Sequence, residues 1–141
     1  DDGLTTIRQK KTSDLHNRMK IMEKTKNALY VSIHQNKYGD EKYSGTQVFY
    51  SPKTKEESAL LAQCIQDVVV NTLQKDNNRQ IKECGTSVYL MYNAVKPAVL
   101  VECGFLSNYE ETEKLKLSEY QKKIAFCIAM GIQNYLSSRN E

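Results

Sequence analysis

Two stretches, ALYVSIH at residues 28–34 and AVLVE at residues 98–102, decide how this chain is read. Each is a nearly unbroken apolar run rich in β-branched and aromatic residues, the pattern of a strand covered on both faces. Each also stops on an ionisable residue, His34 in the first and Glu102 in the second. Between and around them the pattern changes to helical. Leu61, Cys64, Ile65, Val68, Val69 and Leu73 recur on one face of a long helix behind a Thr54 and Glu57 capping-box pattern, and the DNNR stretch at residues 76–79 ends it. Ser118 with Gln121 opens a C-terminal helix that turns Tyr120, Ile124, Cys127, Ile128 and Tyr135 inward. Ser107 with Glu110 marks a shorter helix straight after the second strand.

Other segments extend the alternation. Residues 4–8 read as a short strand, followed by a helix on which Leu15, Met19 and Met22 face inward behind a Ser13 cap. Residues 46–50 (TQVFY) alternate as a strand nearer an edge, and residues 87–92 read as a further strand before Pro97. Strands alternating with helices predict an α/β fold, a mostly parallel central sheet with helices on both faces, and the two most apolar strands as its centre. With 141 residues the chain predicts one domain over its whole length, without repeats or linkers.

Composition narrows the function classes. A net charge of +3 from 20 basic and 17 acidic residues, with the basic residues dispersed, argues against a nucleic-acid partner. The short cluster Arg8 to Lys11 reads as a solvated loop. The apolar runs are too short to span a bilayer. Cys64, Cys84, Cys103 and Cys127 are irregularly spaced with no CxxC pair, so they read as free core thiols.

In open α/β sheets, ligands bind where the loops diverge at the carboxyl ends of the strands. If the two apolar strands are parallel neighbours, an imidazole and a carboxylate meet in one crevice. A zinc hydrolase needs that pairing: an imidazole to hold metal, and a carboxylate outside the coordination sphere to move a proton. A lone histidine at a strand end is more often a hydrogen-bonded structural residue than a ligand. A carboxylate closing a buried strand must be paired, solvated at a rim or functional. His16, beside Asn17 and Arg18 on the first helix, reads as a surface residue. Two histidines without a CxxC pair leave a zinc site incomplete.

The segment NALYVSIHQN resembles the strand of zinc-dependent N-acetylmuramoyl-L-alanine amidases that ends in a zinc-ligating histidine, and AVLVECGFLSNYEE resembles their strand, catalytic glutamate and capped helix. The helix with Leu15 and Arg18, SGTQVFYSP and YQKKIAFCIAMGIQNYL also fit, so the resemblance covers nearly the whole chain. SGTQVFYSP and NRQIK look most like the sporulation and germination amidases that remove stem peptides from cortex peptidoglycan. The resemblance implies Zn2+ as cofactor, His34 as one of its ligands and Glu102 as general base and acid. It also implies Asn36, Gly104 and Asn108 at the substrate rim, and Ser107 beside them. The substrate would be the amide between N-acetylmuramic acid and L-alanine in peptidoglycan, outside the cytoplasm, with an accessory lipoprotein as a possible partner.

The family's other ligands, a His from a Gly-rich loop after its first strand and a Glu from the next helix, have no counterpart here and would lie upstream of Asp1. The expected fold therefore lacks the family's first strand and helix. A peptidoglycan-binding module without catalysis, or a metal-dependent exopeptidase on a related sheet, would share these features.

Overall fold

A computed structural model describes residues 3–140. Along the chain run α1 (Ile7–Lys24), β1 (Tyr30–Asn36), β2 (Gln47–Tyr50), α2 (Lys55–Thr72), β3 (Lys82–Glu83), α3 (Tyr89–Tyr92), β4 (Ala98–Phe105), α4 (Tyr109–Lys116) and α5 (Ser118–Ser138). Among the described residues the strands form one sheet in the order β1, β4, β2, β3. β1 with β4 and β2 with β3 are parallel, and β2 with β4 is antiparallel. The predicted α/β class with a mostly parallel sheet is the one observed.

Period-two alternation along β4 sorts its side chains into two cores. Val99, Val101 and Cys103 join Val48, Leu61, Ile65, Val69, Cys127 and Ile128 under α2 and α5. Ala98 and Leu100 join Met19, Met22, Leu90 and Met91 under α1 and α3. Helices thus cover both faces, and β4, buried along almost its whole length, is the centre.

Several expectations need correction. No strand forms over residues 4–8, because Thr6 caps α1: its hydroxyl accepts from the Gln9 backbone N–H at 3.2 Å, and Thr6 N donates back to Gln9 Oε1 at 3.1 Å. That reciprocal box draws Arg8 to Lys11 into the helix instead of a loop, and Ser13 lies inside it rather than capping it. Residues 89–92 form a helical turn, not a strand. Leu90 and Met91 are adjacent yet both buried in the same cluster, and a strand would send them to opposite faces.

β1 was expected at the sheet's centre and lies at its margin among the described residues. It pairs with β4 alone, and Ile33 stays 59% exposed. The three capping-box patterns also resolve differently. Thr54 Oγ1 bonds Ser58 Oγ and donates to the Lys96 carbonyl, α4 is capped by Asn108 rather than Ser107, and Leu117 precedes α5 without a side-chain cap.

Candidate active site

The parallel register of β1 and β4 sets His34 directly opposite Glu102, and the antiparallel register sets Gln47 opposite Glu102 from the other side. Register partners share a face, so His34, Glu102 and Gln47 form a row across the sheet. The row lies two residues before the end of β1 and three before the end of β4, so neither strand stops on its ionisable residue as the sequence suggested. The histidine is exposed, at the rim, while Glu102 is half-buried. One oxygen of Glu102, Oε2, is buried without any hydrogen-bond partner. Burial pushes the Glu102 pKa above the ordinary carboxylate value, against a smaller lowering by His34. Buried polar atoms without a partner are uncommon in a folded protein, and among the described residues the Tyr135 hydroxyl is the other one.

Beyond this row the ladder slips. His34 pairs with Glu102 and Asn36 with Phe105, so β4 carries one extra residue over that step. His34 and Asn36 point to the same face, and so therefore do Glu102 and Phe105. The bulge turns a ring, which strict alternation would have placed in the opposite core, toward the site. Phe105 there lines a cleft of about 270 Å3 with Asn36, Tyr43, Gln47, Phe49 and Arg79. The Arg79 guanidinium lies 4.6 Å from the Phe105 ring centre and 5.7 Å from that of Tyr43. Its Nε donates to the Ser44 carbonyl at 2.6 Å and its NH1 reaches Gln47 Oε1 at 3.4 Å.

The remaining rim residues have definite structural duties. Asn108 Oδ1 accepts from the Glu111 N–H at 3.1 Å, and its Nδ2 donates to the Glu41 carbonyl at 3.0 Å, joining α4 to the loop after β1. Ser107 Oγ accepts from the Tyr38 N–H at 3.2 Å. Gly104 is required by Glu111, with whose carboxylate a Cβ there would collide. Glu111 Oε1 accepts from Gly45 N at 2.8 Å and from Phe105 N at 3.0 Å, and Oε2 accepts from Gly45 N at 3.0 Å. It therefore ties the end of β4 to the loop that enters β2. Truncating it in Glu111→Ala strands both amides, and the expected loss is about 2 kcal/mol of unfolding free energy by urea denaturation, since hydrogen bonds to charged groups contribute roughly 1.5–3. Unchanged stability would contradict this.

Thr46, buried at the start of β2, is held in the same manner. Its N–H donates to Gln74 Oε1, its carbonyl accepts from Gln66 Nε2 and Asn77 Nδ2, and its hydroxyl donates to the Cys103 carbonyl. The sequence pattern missed Gln47, Arg79 and Glu111 as site-building residues. Each acts through partners distant along the chain, and no local spacing reports that. His16 lies exposed on α1, its ring 5.6 Å from that of Tyr89, away from this row.

Among the described residues, no three His, Cys, Asp or Glu side chains come together as a metal site would require. No helix among them is long and apolar enough to cross a membrane.

The sequence profile of the N-acetylmuramoyl-L-alanine amidases matches residues 2–134. The chain is 35% identical over 140 residues to the germination-specific N-acetylmuramoyl-L-alanine amidase of Bacillus subtilis, spanning 99% of this chain and 58% of that protein. It superposes on the CwlD amidase of Clostridioides difficile, solved in complex with the GerS lipoprotein, with a TM-score of 0.89 and 42% identity over 95% of this chain and 67% of that one. The amidase AmiC2 of Nostoc punctiforme matches with a TM-score of 0.77 and 27% identity, covering 86% of this chain and 65% of that one.

Proposed function

The chain belongs to the N-acetylmuramoyl-L-alanine amidase family, and from that premise we propose that it is the larger part of a peptidoglycan amidase whose general base and acid is Glu102. The observation that carries this reading is the unpartnered, buried Oε2 of Glu102, set in register beside His34. In the proposed reaction Glu102 takes a proton from the attacking water and returns it to the nitrogen of the departing alanine. The bond between the lactyl carbonyl carbon and that nitrogen breaks, leaving a carboxylate on the sugar and an amine on the peptide.

A zinc ion, if held by His34 together with ligands from a longer protein, would supply Lewis-acid polarisation of the amide carbonyl and a water acidic enough to ionise near neutrality. This chain's own residues fit that metal only in part. A catalytic zinc takes three protein ligands, and the candidate row offers one imidazole, that of His34, with Glu102 kept free for proton transfer. The chain spans 58% of the curated Bacillus relative, and further ligands from a longer protein are part of this proposal. The 141 residues alone should accordingly hold Zn2+ far more weakly than the roughly 10–16 kcal/mol of a complete structural zinc site, and His34→Ala should abolish what binding there is, by competition with a chromophoric chelator. Tight binding unaffected by that substitution would place any metal elsewhere.

The amidase reading is tested by digesting purified peptidoglycan with the zinc-loaded full-length protein. Glycan strands stripped of peptide, with new alanine amino termini, are expected. Cleavage between sugars or within the peptide would overturn it. By analogy with the CwlD complex we include an accessory lipoprotein as a partner and an extracytoplasmic place of action. A second reading, binding of wall peptidoglycan without catalysis by this stretch on its own, is favoured by the absence of a ligand trio among the described residues. It predicts retention on insoluble wall with no peptide released.

A further inference from the structure

Two cations on the face of the sheet that carries Glu102 have no carboxylate partner among the described residues: neither Arg79 nor Lys82 takes part in an ion pair. Their position follows from the register. Phe49 pairs with Leu100 on one side and Lys82 on the other, while Gln47 pairs with Glu102, so Lys82 stands on the face that carries Glu102. β3 runs parallel to β2, and residues just before Lys82 therefore return to the Gln47 end of the sheet, where Gln47 Nε2 donates to the Gln80 carbonyl at 2.8 Å. Arg79 and Lys82 line the same cleft of about 270 Å3, with Gln47 standing between Arg79 and Glu102.

The arginine is held rigid. Phe105 lies beneath its guanidinium, Tyr43 lies alongside, and Nε is taken by Ser44. A guanidinium has five N–H donors, and the bonds to Ser44 and Gln47 leave the end of the fork unspent. A planar cation on an aromatic floor with its paired donors free is a receptor for a carboxylate. Lys82, exposed on β3, adds a second positive charge at the mouth.

We propose that Arg79 and Lys82 form an anion subsite beside Glu102 that receives a free carboxylate of the stem peptide, on the side of the leaving amine. This rests on the amidase reading and adds to it an orientation for the substrate. The glycan is uncharged there, because its sugars are N-acetylated and the lactyl carboxyl is consumed in the amide. Free carboxylates therefore belong to the peptide half, and a cationic cleft next to the proton-transferring group marks where that half lies. Asn36, on the same cleft, supplies a neutral polar wall.

The test compares two soluble substrates, N-acetylmuramoyl-L-alanyl-glutamate with a free α-carboxylate and its α-carboxamide counterpart, using the zinc-loaded full-length protein. The wild type is expected to prefer the carboxylate about 10-fold in kcat/KM, corresponding to about 1.4 kcal/mol. Lys82→Gln, on an exposed two-residue strand, should reduce that ratio with kcat intact and KM raised. Arg79→Gln should bring it near one, and Arg79→Lys should restore part of it. No preference in the wild type, or one that survives both neutral variants, overturns the proposal.

Binding of the product dipeptide and its amide to the chain, followed by NMR, separates the two claims. If neither substrate is cleaved the amidase reading fails, while carboxylate-dependent, Lys82-sensitive binding still upholds the subsite and equal binding of both peptides still removes it.

Discussion

Glu102→Gln is expected to cost the full-length protein about 10^2–10^4-fold in amide hydrolysis, the usual worth of a positioned general acid and base, without lowering the melting temperature of the metal-free chain. The two halves of this result have one cause. Oε2 is buried and unpartnered, and burial raises the Glu102 pKa while His34 only partly opposes it. A group whose folded-state pKa is raised contributes stability below its unfolded pKa and loses that contribution as pH rises through the folded value. At neutral pH the ionised carboxylate is therefore a net liability to the fold, and glutamine, which cannot ionise, removes it. Melting curves should show the variant at least as stable as the wild type near pH 7.5 and no advantage near pH 4. A variant that kept full activity, or one destabilised equally at both pH values, would mean that Glu102 is a structural carboxylate.

The largest expected loss of stability lies far from that residue, at Gly131→Val. Gly131 is buried in α5 where it crosses α2, and a Cβ there would stand 2.5 Å from Ile65 Cα and 2.9 Å from Ile65 N. Backbone atoms inside a helix cannot give way as a side chain tip can, so the helices must separate. Ile65, Val69, Cys127 and Ile128 would then lose contact. Overpacking of this kind costs roughly 1–3 kcal/mol and occasionally more, and a branched side chain against backbone belongs at the upper end. About 3 kcal/mol should lower the melting point by about 10 °C in a chain of this size. Denaturant titration of wild type, Gly131→Ala and Gly131→Val would show a graded fall. A valine variant as stable as the wild type would mean that α2 and α5 do not approach as described.

The elements that came through clearly in the sequence are those where burial and periodicity agree. β4 is apolar at nearly every position because both faces are covered, and α2 and α5 carry one apolar stripe each, so their patterns report their surroundings directly. The pairing of His34 with Glu102 followed from parallel neighbouring strands, and the register places them opposite each other.

What stayed hidden was set by other means. Thr6 and Gln9 fix the start of α1 through reciprocal hydrogen bonds, and a weakly apolar first turn drew attention to the wrong element. Leu90 and Met91 form an apolar pair that local sequence cannot assign to helix or strand. The marginal place of β1 is a matter of which chain segments pair with it, and an apolar run looks the same whether one neighbour or two lie beside it. The bulge that turns Phe105 toward Arg79 inverts the face expected from alternation.

The cysteines carry a consequence of their own. Cys84 and Cys103 are buried, and burial, with the nearby Glu102 adding to it, pushes both thiols up to about 11, while Cys64 and Cys127 are raised by burial as well. At neutral pH only about one part in 10^4 of Cys84 or Cys103 is in the thiolate form that attacks disulfides. Sulfur chemistry is thereby muted at both sites, which lie within electrostatic reach of Glu102. All four thiols are free, so the fold rests on packing rather than on covalent cross-links between them.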